Sequence, residues 1–421
     1  GLNYTEDGNK TNSGKYAENK LRKVTINYYG YNYDSVQTDN PPIGTISDTE
    51  TQSIVTYKKC VPVDSSGNIS IQLIDNPFMN RPQGKGFNGW KTNNTNYSNS
   101  ISTNRNNFVQ TLSANENNIK NSSGEYVIDL YPDWIDANVI FVSSYGSNYN
   151  DGKTADTPIN NDWNSISSKL NSNIKTCTNA SNREVNIIVL INGTLSYSGM
   201  TGPNTAYTLT SMYNGTNYGS SSTYIDFSSN NGGWGYYDGS SVTLDSDLQL
   251  EYLYINSNVS YKNPNATTDG TDDAYPCIYG NMYNLRIGRG ILPTSSNTCT
   301  LGQVQGGYYN HSSSEFKLVI ESGKYYTLQL YRASSGTGTS NSLTANGTLV
   351  IGNDFDRKSN NNENLKIYNR MSSKTTTATN SPYTANNSKA FAVEMIVKSG
   401  TIGVDYFNSQ SASDSSDRNY A

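Results

Sequence analysis

Short apolar runs recur from one end of this chain to the other, each ended by Asn, Gly or Ser, and hardly any window sets apolar residues at i, i+3, i+4 and i+7. Runs such as Val139-Ile140-Phe141-Val142 and Ile187-Ile188-Val189-Leu190-Ile191 are short, β-branched and bounded by turn residues, which is the pattern of strands. One stretch departs from it. Trp163, Ile166, Leu170 and Ile174 share a helical face and predict a short helix over 163–174. The chain reads as all-β with that one helix.

Strands this polar need an unusual economy of residues. Charged residues are 15% of the 421, against about 25% in ordinary globular chains. Apolar residues are 34% even with Tyr counted, against about 45–50%. Asn, Ser, Thr, Gly and Tyr take their place. A disordered chain rejects aromatics, whereas this one is 11% aromatic and should fold. The 30 Lys and Arg are scattered and outnumbered by 35 Asp and Glu, so nucleic-acid binding is excluded as its main task. No apolar stretch approaches the ~18 residues of a membrane-spanning helix. Residue 1 is Gly and neither a signal peptide nor a sorting motif is present, so we expect a mature or trimmed piece of a longer secreted protein.

Cys60, Cys177, Cys277 and Cys299 form no C-x-x-C pair, which argues against structural zinc and a dithiol redox centre. Either Cys277 and Cys299 are bridged or all four are isolated thiols.

Four segments follow from the pattern: a polar strap at 1–22, a first unit at 23–135, a second at 136–408 and a flexible tail at 409–421. The first unit opens with Val24-Thr25-Ile26-Asn27-Tyr28-Tyr29-Gly30, passes through Gly86-Phe87-Asn88-Gly89-Trp90-Lys91-Thr92 and closes with Leu130-Tyr131-Pro132-Asp133-Trp134. That order resembles the internalin B-repeat, or Listeria-Bacteroides repeat. The resemblance implies a small β-grasp-like fold used as a repeat in bacterial surface proteins. Phe87, Trp90 and Trp134 supply the large apolar volumes for its core, with Gly86 and Gly89 permitting a tight backbone path. The Asn-rich segment Asn93 to Glu125 is an insertion that the resemblance does not describe.

The second unit begins Asn138-Val139-Ile140-Phe141-Val142-Ser143-Ser144-Tyr145-Gly146, followed by Asn150-Asp151-Gly152 and Thr157-Pro158. This is similar to the opening strand and first turn of right-handed parallel β-helix proteins of the pectate-lyase-like superfamily, in which a capping helix follows. Short strands are then expected near Ile188, Ile225, Leu250 to Ile255, Leu285, Leu318, Leu349, Ile367 and Val393. An internal echo supports stacked turns: Val319-Ile320-Glu321-Ser322-Gly323-Lys324-Tyr325 returns as Ile396-Val397-Lys398-Ser399-Gly400-Thr401-Ile402, with Ser-Gly marking a corner. Eight or nine turns would rise roughly 40 Å at one strand spacing each. Such a stack suits the composition, because each turn satisfies its neighbour's main-chain amides and Asn tolerates the corners.

Little here carries chemistry. There is one histidine, His311, read as a solvated loop imidazole, and no G-x-S-x-G, H-E-x-x-H, phosphate loop or dinucleotide fingerprint. Thr268-Asp269-Gly270-Thr271-Asp272-Asp273 resembles the acidic motifs of polygalacturonase-type hydrolases, which implies catalytic carboxylates at Asp269, Asp272 and Asp273. Inverting hydrolysis needs two carboxyl groups about 6.5–9.5 Å apart. The motifs are fused here, and the downstream Leu285-Arg286-Ile287-Gly288-Arg289-Gly290 has Arg where a histidine is expected, so the other readings of the three aspartates are Ca²⁺ ligands or a solvated turn. Asp354 and Asp356 sit beside Arg357 and Lys358, a locally neutralised turn. Trp234, Tyr236 and Tyr237 in a Gly-rich segment, within a total of 34 Tyr, are candidates for ligand contact, since exposed Tyr and Trp offer rigid faces with a hydrogen-bonding tip.

The sequence therefore predicts an all-β, two-unit extracellular protein of a bacterial cell surface with a structural or adhesive role, without a cofactor unless Ca²⁺ binds. Its expected partners are glycans of a host or neighbouring cell, or copies of itself. The alternatives are a polysaccharide-degrading β-helix enzyme and a fibre component.

Overall fold

The computed structural model describes residues 20–30, 54–74, 76, 78, 81–97, 101–104, 109–172, 183–197, 205–228, 231–232, 242–244, 246–259, 275–280, 283–296, 298–306, 316–332, 347–352, 365–375, 393–397 and 400–402. They are predominantly strand, with one α-helix among them, Trp163–Ser172. No helix among the described residues is long and apolar enough to cross a membrane.

Two sheets make the first unit. The strand Lys20–Tyr29 pairs antiparallel with Ile54–Val63 and parallel with Val127–Asp136, which in turn pairs antiparallel with Lys85–Lys91. The first strand begins ahead of residue 23, because Lys20 already pairs with Val63. Alternation explains its fit: Val24, Ile26 and Tyr28 are buried beside Ile128 and Leu130 of the parallel neighbour. The Asn-rich insertion contributes two strands, Ile101–Asn104 and Val109–Asn115, to a second, antiparallel sheet in the order Asn68–Gln72, Val109–Asn115, Ile101–Asn104. Gln110 ties the two together, accepting from Trp90 N at 2.6 Å and donating to Trp90 O at 3.2 Å.

Trp90 is buried, its indole N–H donating to Ile74 O at 2.7 Å, and Tyr28, Phe78 and Phe87 meet it edge-on. Trp134 is placed differently from the sequence expectation. It is only half-buried and stays outside the core cluster, because its register partner Phe87 stands between it and Trp90 at ring separations of 6.0 and 5.1 Å.

From Asn138 onward parallel strands stack in columns. The first column runs Asn138–Ser143, Asn186–Ser196, Tyr207–Thr210, Leu248–Glu251, Leu285–Ile287, Phe316–Ile320, Gly347–Ile351, Val393–Val397, every pair parallel. A second column takes the end of Asn186–Ser196 onto Thr223–Asp226, Tyr254–Asn256 and Leu292–Pro293. A third runs Val242–Thr243, Tyr275–Tyr279, Leu301–Gly306, Gly323–Arg332, Leu365–Thr375, Thr401–Ile402. Every expected strand centre from Ile188 to Val393 falls in one of these strands, but the run Leu250 to Ile255 is not one strand: a corner at Tyr252, φ 49°, divides it between Leu248–Glu251 of the first column and Tyr254–Asn256 of the second.

Register turns the sequence pattern into a core. Ile140, Ile188, Leu209, Leu250, Ile287, Ile320 and Ile351 are successive register partners, all buried. Leu195, Ile225 and Ile255 do the same in the second column. An aliphatic row of this kind needs one apolar residue per strand, which is how a chain poor in apolar residues closes a core. Trp163, Ile166 and Leu170 of the helix join the same cluster. The helix is described to Ser172, and Ile174 lies outside the described residues.

Both glycines of the repeated Ser-Gly pair lie at positive φ, and Ser399 is outside the described residues. Gly323 and Gly400 have φ of 101° and 108°, a region that favours glycine. A Cβ at Gly323 would meet the Tyr325 hydroxyl at 2.4 Å, and one at Gly400 would meet Leu365 Cδ2 at 2.9 Å. Cys299 is a buried free thiol, pushed up to about 12 by burial, so it makes no bridge with Cys277; Cys60 is free and exposed.

Candidate ligand-facing surface and the buried clamp

The residues singled out for chemistry fall outside the described residues: Trp234, Tyr236, Tyr237, Asp269, Asp272, Asp273, His311, Asp354 and Asp356. Among the described residues no group of three His, Cys, Asp or Glu is arranged to hold a metal ion. Two other arrangements emerge from the fold.

The first is a chain of buried charge between the two units. Arg81 is 2% exposed. Its Nε and Nη2 donate to the two carboxylate oxygens of Glu184 at 3.0 and 2.9 Å, and Nη2 donates to Glu251 Oε1 at 2.6 Å. Glu184 belongs to the 3-10 turn Arg183–Val185, and Glu251 ends a first-column strand. Both carboxylates are further supported: Phe87 N donates to Glu184 at 2.5 Å, and Gln249 Nε2 donates to Glu251 at 2.8 Å. Gln249 Oε1 accepts from Arg286 Nη1 at 3.1 Å, and Arg286 Nη2 donates to Glu321 at 2.9 Å. Burial opposes the Arg81 charge, but the two carboxylates win and hold its pKa well above the ordinary value. Backbone joins in. Gly84 N donates to the Tyr213 hydroxyl at 2.8 Å, Ala137 N donates to Gly84 O at 2.8 Å, and a Cβ on Gly86 would sit 2.0 Å from Glu184 O. Gly86 is therefore required by the approach of the second unit.

The second arrangement is the outward side of the second column. Because Leu195, Ile225 and Ile255 point inward, alternation sends their neighbours outward. Thr194, Tyr224, Tyr254 and Leu292 are register partners on that side, forming an aromatic and apolar stripe. Tyr224 and Tyr254 are half-exposed and Leu292 is 40% exposed. A polar stripe lies alongside it: Ser196, Asp226 and Asn256 in register, with Asn256 Nδ2 donating to Asp226 Oδ1 at 3.0 Å and Thr294 donating to Asn256 Oδ1 at 3.4 Å.

At the Thr194 end both stripes run into a depression of about 250 Å³ lined by Asn161, Asp162, Trp163, Asn164, Thr194 and Ser196. Trp163 is fixed there by its indole N–H, donated to Ser196 O at 2.9 Å, and Asn161 Nδ2 donates to Thr194 O at 2.6 Å. Asp162 starts the helix by accepting from the Ser165 amide and hydroxyl at 2.9 and 2.6 Å.

A signal for this surface was present in the sequence: Tyr224-Ile225-Asp226 returns as Tyr254-Ile255-Asn256. For Arg81 and its partners no signal existed, because 170 residues separate Arg81 from Glu251. Comparison with protein-family models, curated proteins and solved structures gave no match.

Proposed function

We propose that the chain is a non-enzymatic scaffold of a bacterial cell surface with an adhesive role, built as an internalin B-repeat-like β-grasp unit leading into a right-handed parallel β-helix. The observation that carries this reading is the eight-strand parallel column with the first unit fixed to its flank by buried charge. Seven strand steps of about 4.8 Å give a stack about 34 Å high, and the shorter second column beside it keeps its outward positions in register from strand to strand. A stack of this kind presents side chains at fixed spacing, which suits repeated ligands such as glycans or the faces of neighbouring copies.

Purified protein tested on a glycan panel, on whole cells and by analytical ultracentrifugation is expected to bind glycans or cells, or to self-associate. Silence in the first two with a monomer at high concentration would remove the reading. Reducing-sugar release from the panel that disappears in Asp272→Asn would replace it with a hydrolase.

A further inference from the structure

The geometry points to a binding site for a neutral polysaccharide chain on the outward side of the second column, lying along the stack from the Trp163 depression across Tyr224 and Tyr254. The inference rests on the adhesive reading and names its ligand class. A pyranose ring has an apolar C–H face and a rim of hydroxyls. It therefore needs a flat aromatic surface with hydrogen-bonding groups beside it, and Tyr provides the first at small ordering cost. The stripe Tyr224, Tyr254, Leu292 and the stripe Ser196, Asp226, Asn256 supply the two halves side by side, two positions apart along the same strands, with successive members of each stripe on strands about 4.8 Å apart.

Charge narrows the ligand. The two stripes and the depression carry Asp226 and Asp162 and no Lys or Arg, so a polyuronate or sulfated chain would meet only like charge. Asp162 and Asp226 are engaged by their own neighbours, Ser165 and Asn256, and each keeps acceptor capacity for a sugar hydroxyl. The depression beside Trp163 closes one end of the row and would seat a terminal residue of the chain. The opposite side of the first column offers no such surface: Gln249, Glu251, Arg286 and Glu321 there are buried.

The test is affinity electrophoresis of the full chain in native gels cast with soluble β-glucan, mannan or chitosan-free chitooligosaccharide as neutral probes, and alginate or polygalacturonate as acidic ones. Wild type is expected to be retarded by at least one neutral probe and by neither acidic one. Tyr224→Ala and Tyr254→Ala should each weaken retardation about tenfold, the scale of one aromatic contact. Tyr224→Phe should largely retain it, and Leu21→Ala, on an exposed site of the first unit, should leave it unchanged. Circular dichroism checks that the variants fold. Hydroxyl-radical footprinting of wild type, which needs no variant, should show Tyr224 and Tyr254 protected by the retarding probe. Retardation unaltered in both alanine variants, footprints elsewhere, or binding of acidic probes alone overturns the site while the adhesive reading stands. Self-association abolished by the same variants, with no glycan bound, assigns the face to a second copy and overturns the site. No glycan, no cell and no self-association removes both.

Discussion

Arg81→Met tests the clamp between the units most directly. Methionine keeps most of the side-chain volume, so the change removes charge and hydrogen bonds rather than opening a large cavity. What remains is two carboxylates, Glu184 and Glu251, buried without their cation. Breaking a buried ion pair by removing one partner costs about 3–5 kcal/mol. Phe87 N–H and the Gln249 amide still support one carboxylate each, which places the expected loss at the lower end, about 3 kcal/mol, or a factor of about 150 in the opening equilibrium. Opening should be local, because the two units keep separate apolar clusters. Hydrogen exchange read by mass spectrometry on peptides covering 81–91 reports it, since the amides of Gly84 and Phe87 are bonded across the junction. Their exchange should accelerate about a hundredfold. Arg81→Met combined with Glu184→Met and Glu251→Leu should recover most of the protection, because an apolar replacement of the whole cluster restores what half a cluster loses. Lys85→Met, which breaks a pair 40% and 64% exposed at Lys85 and Asp136, should change exchange by less than about threefold. Acceleration below about fivefold in Arg81→Met would refute the claim that buried charge joins the units.

Other outcomes follow from the same structure. Ile287→Ala, in the middle of the aliphatic row and fully buried, should destabilise the second unit by about 2–5 kcal/mol in urea titration. Burial holds the phenols of Tyr197 and Tyr325 well above the ordinary value. The unfolded chain therefore releases those protons first, so stability should be intact below about pH 10 and fall as pH rises past it. Absorbance at 295 nm should show the late phenols ionising together with loss of circular dichroism. Gly86→Ala should loosen the junction as Arg81→Met does, because its Cβ meets the Glu184 backbone. In the native protein, iodoacetamide at pH 8 should label the exposed Cys60 and leave Cys299 unlabelled in peptide maps, since a buried thiol held near 12 offers no thiolate.

Read residue by residue, the sequence already contained the all-β class, the strand centres and the Ser-Gly corners. Those are local quantities: alternation, β-branching and turn chemistry act within a few residues, and the two Ser-Gly corners with positive φ at Gly323 and Gly400 are a case in point. The helix was legible for the same reason, its apolar face being set by spacing alone. Tertiary structure alone decided how those pieces met. Register chose which residue of each run joins the row from Ile140 to Ile351 and which faces outward, and hence made Tyr224 and Tyr254 neighbours. It also set Phe87 between Trp134 and the core, and it brought Arg81 to Glu184 and Glu251 across 103 and 170 residues. Contacts at such separations depend on the path of the whole chain, and no local propensity encodes them.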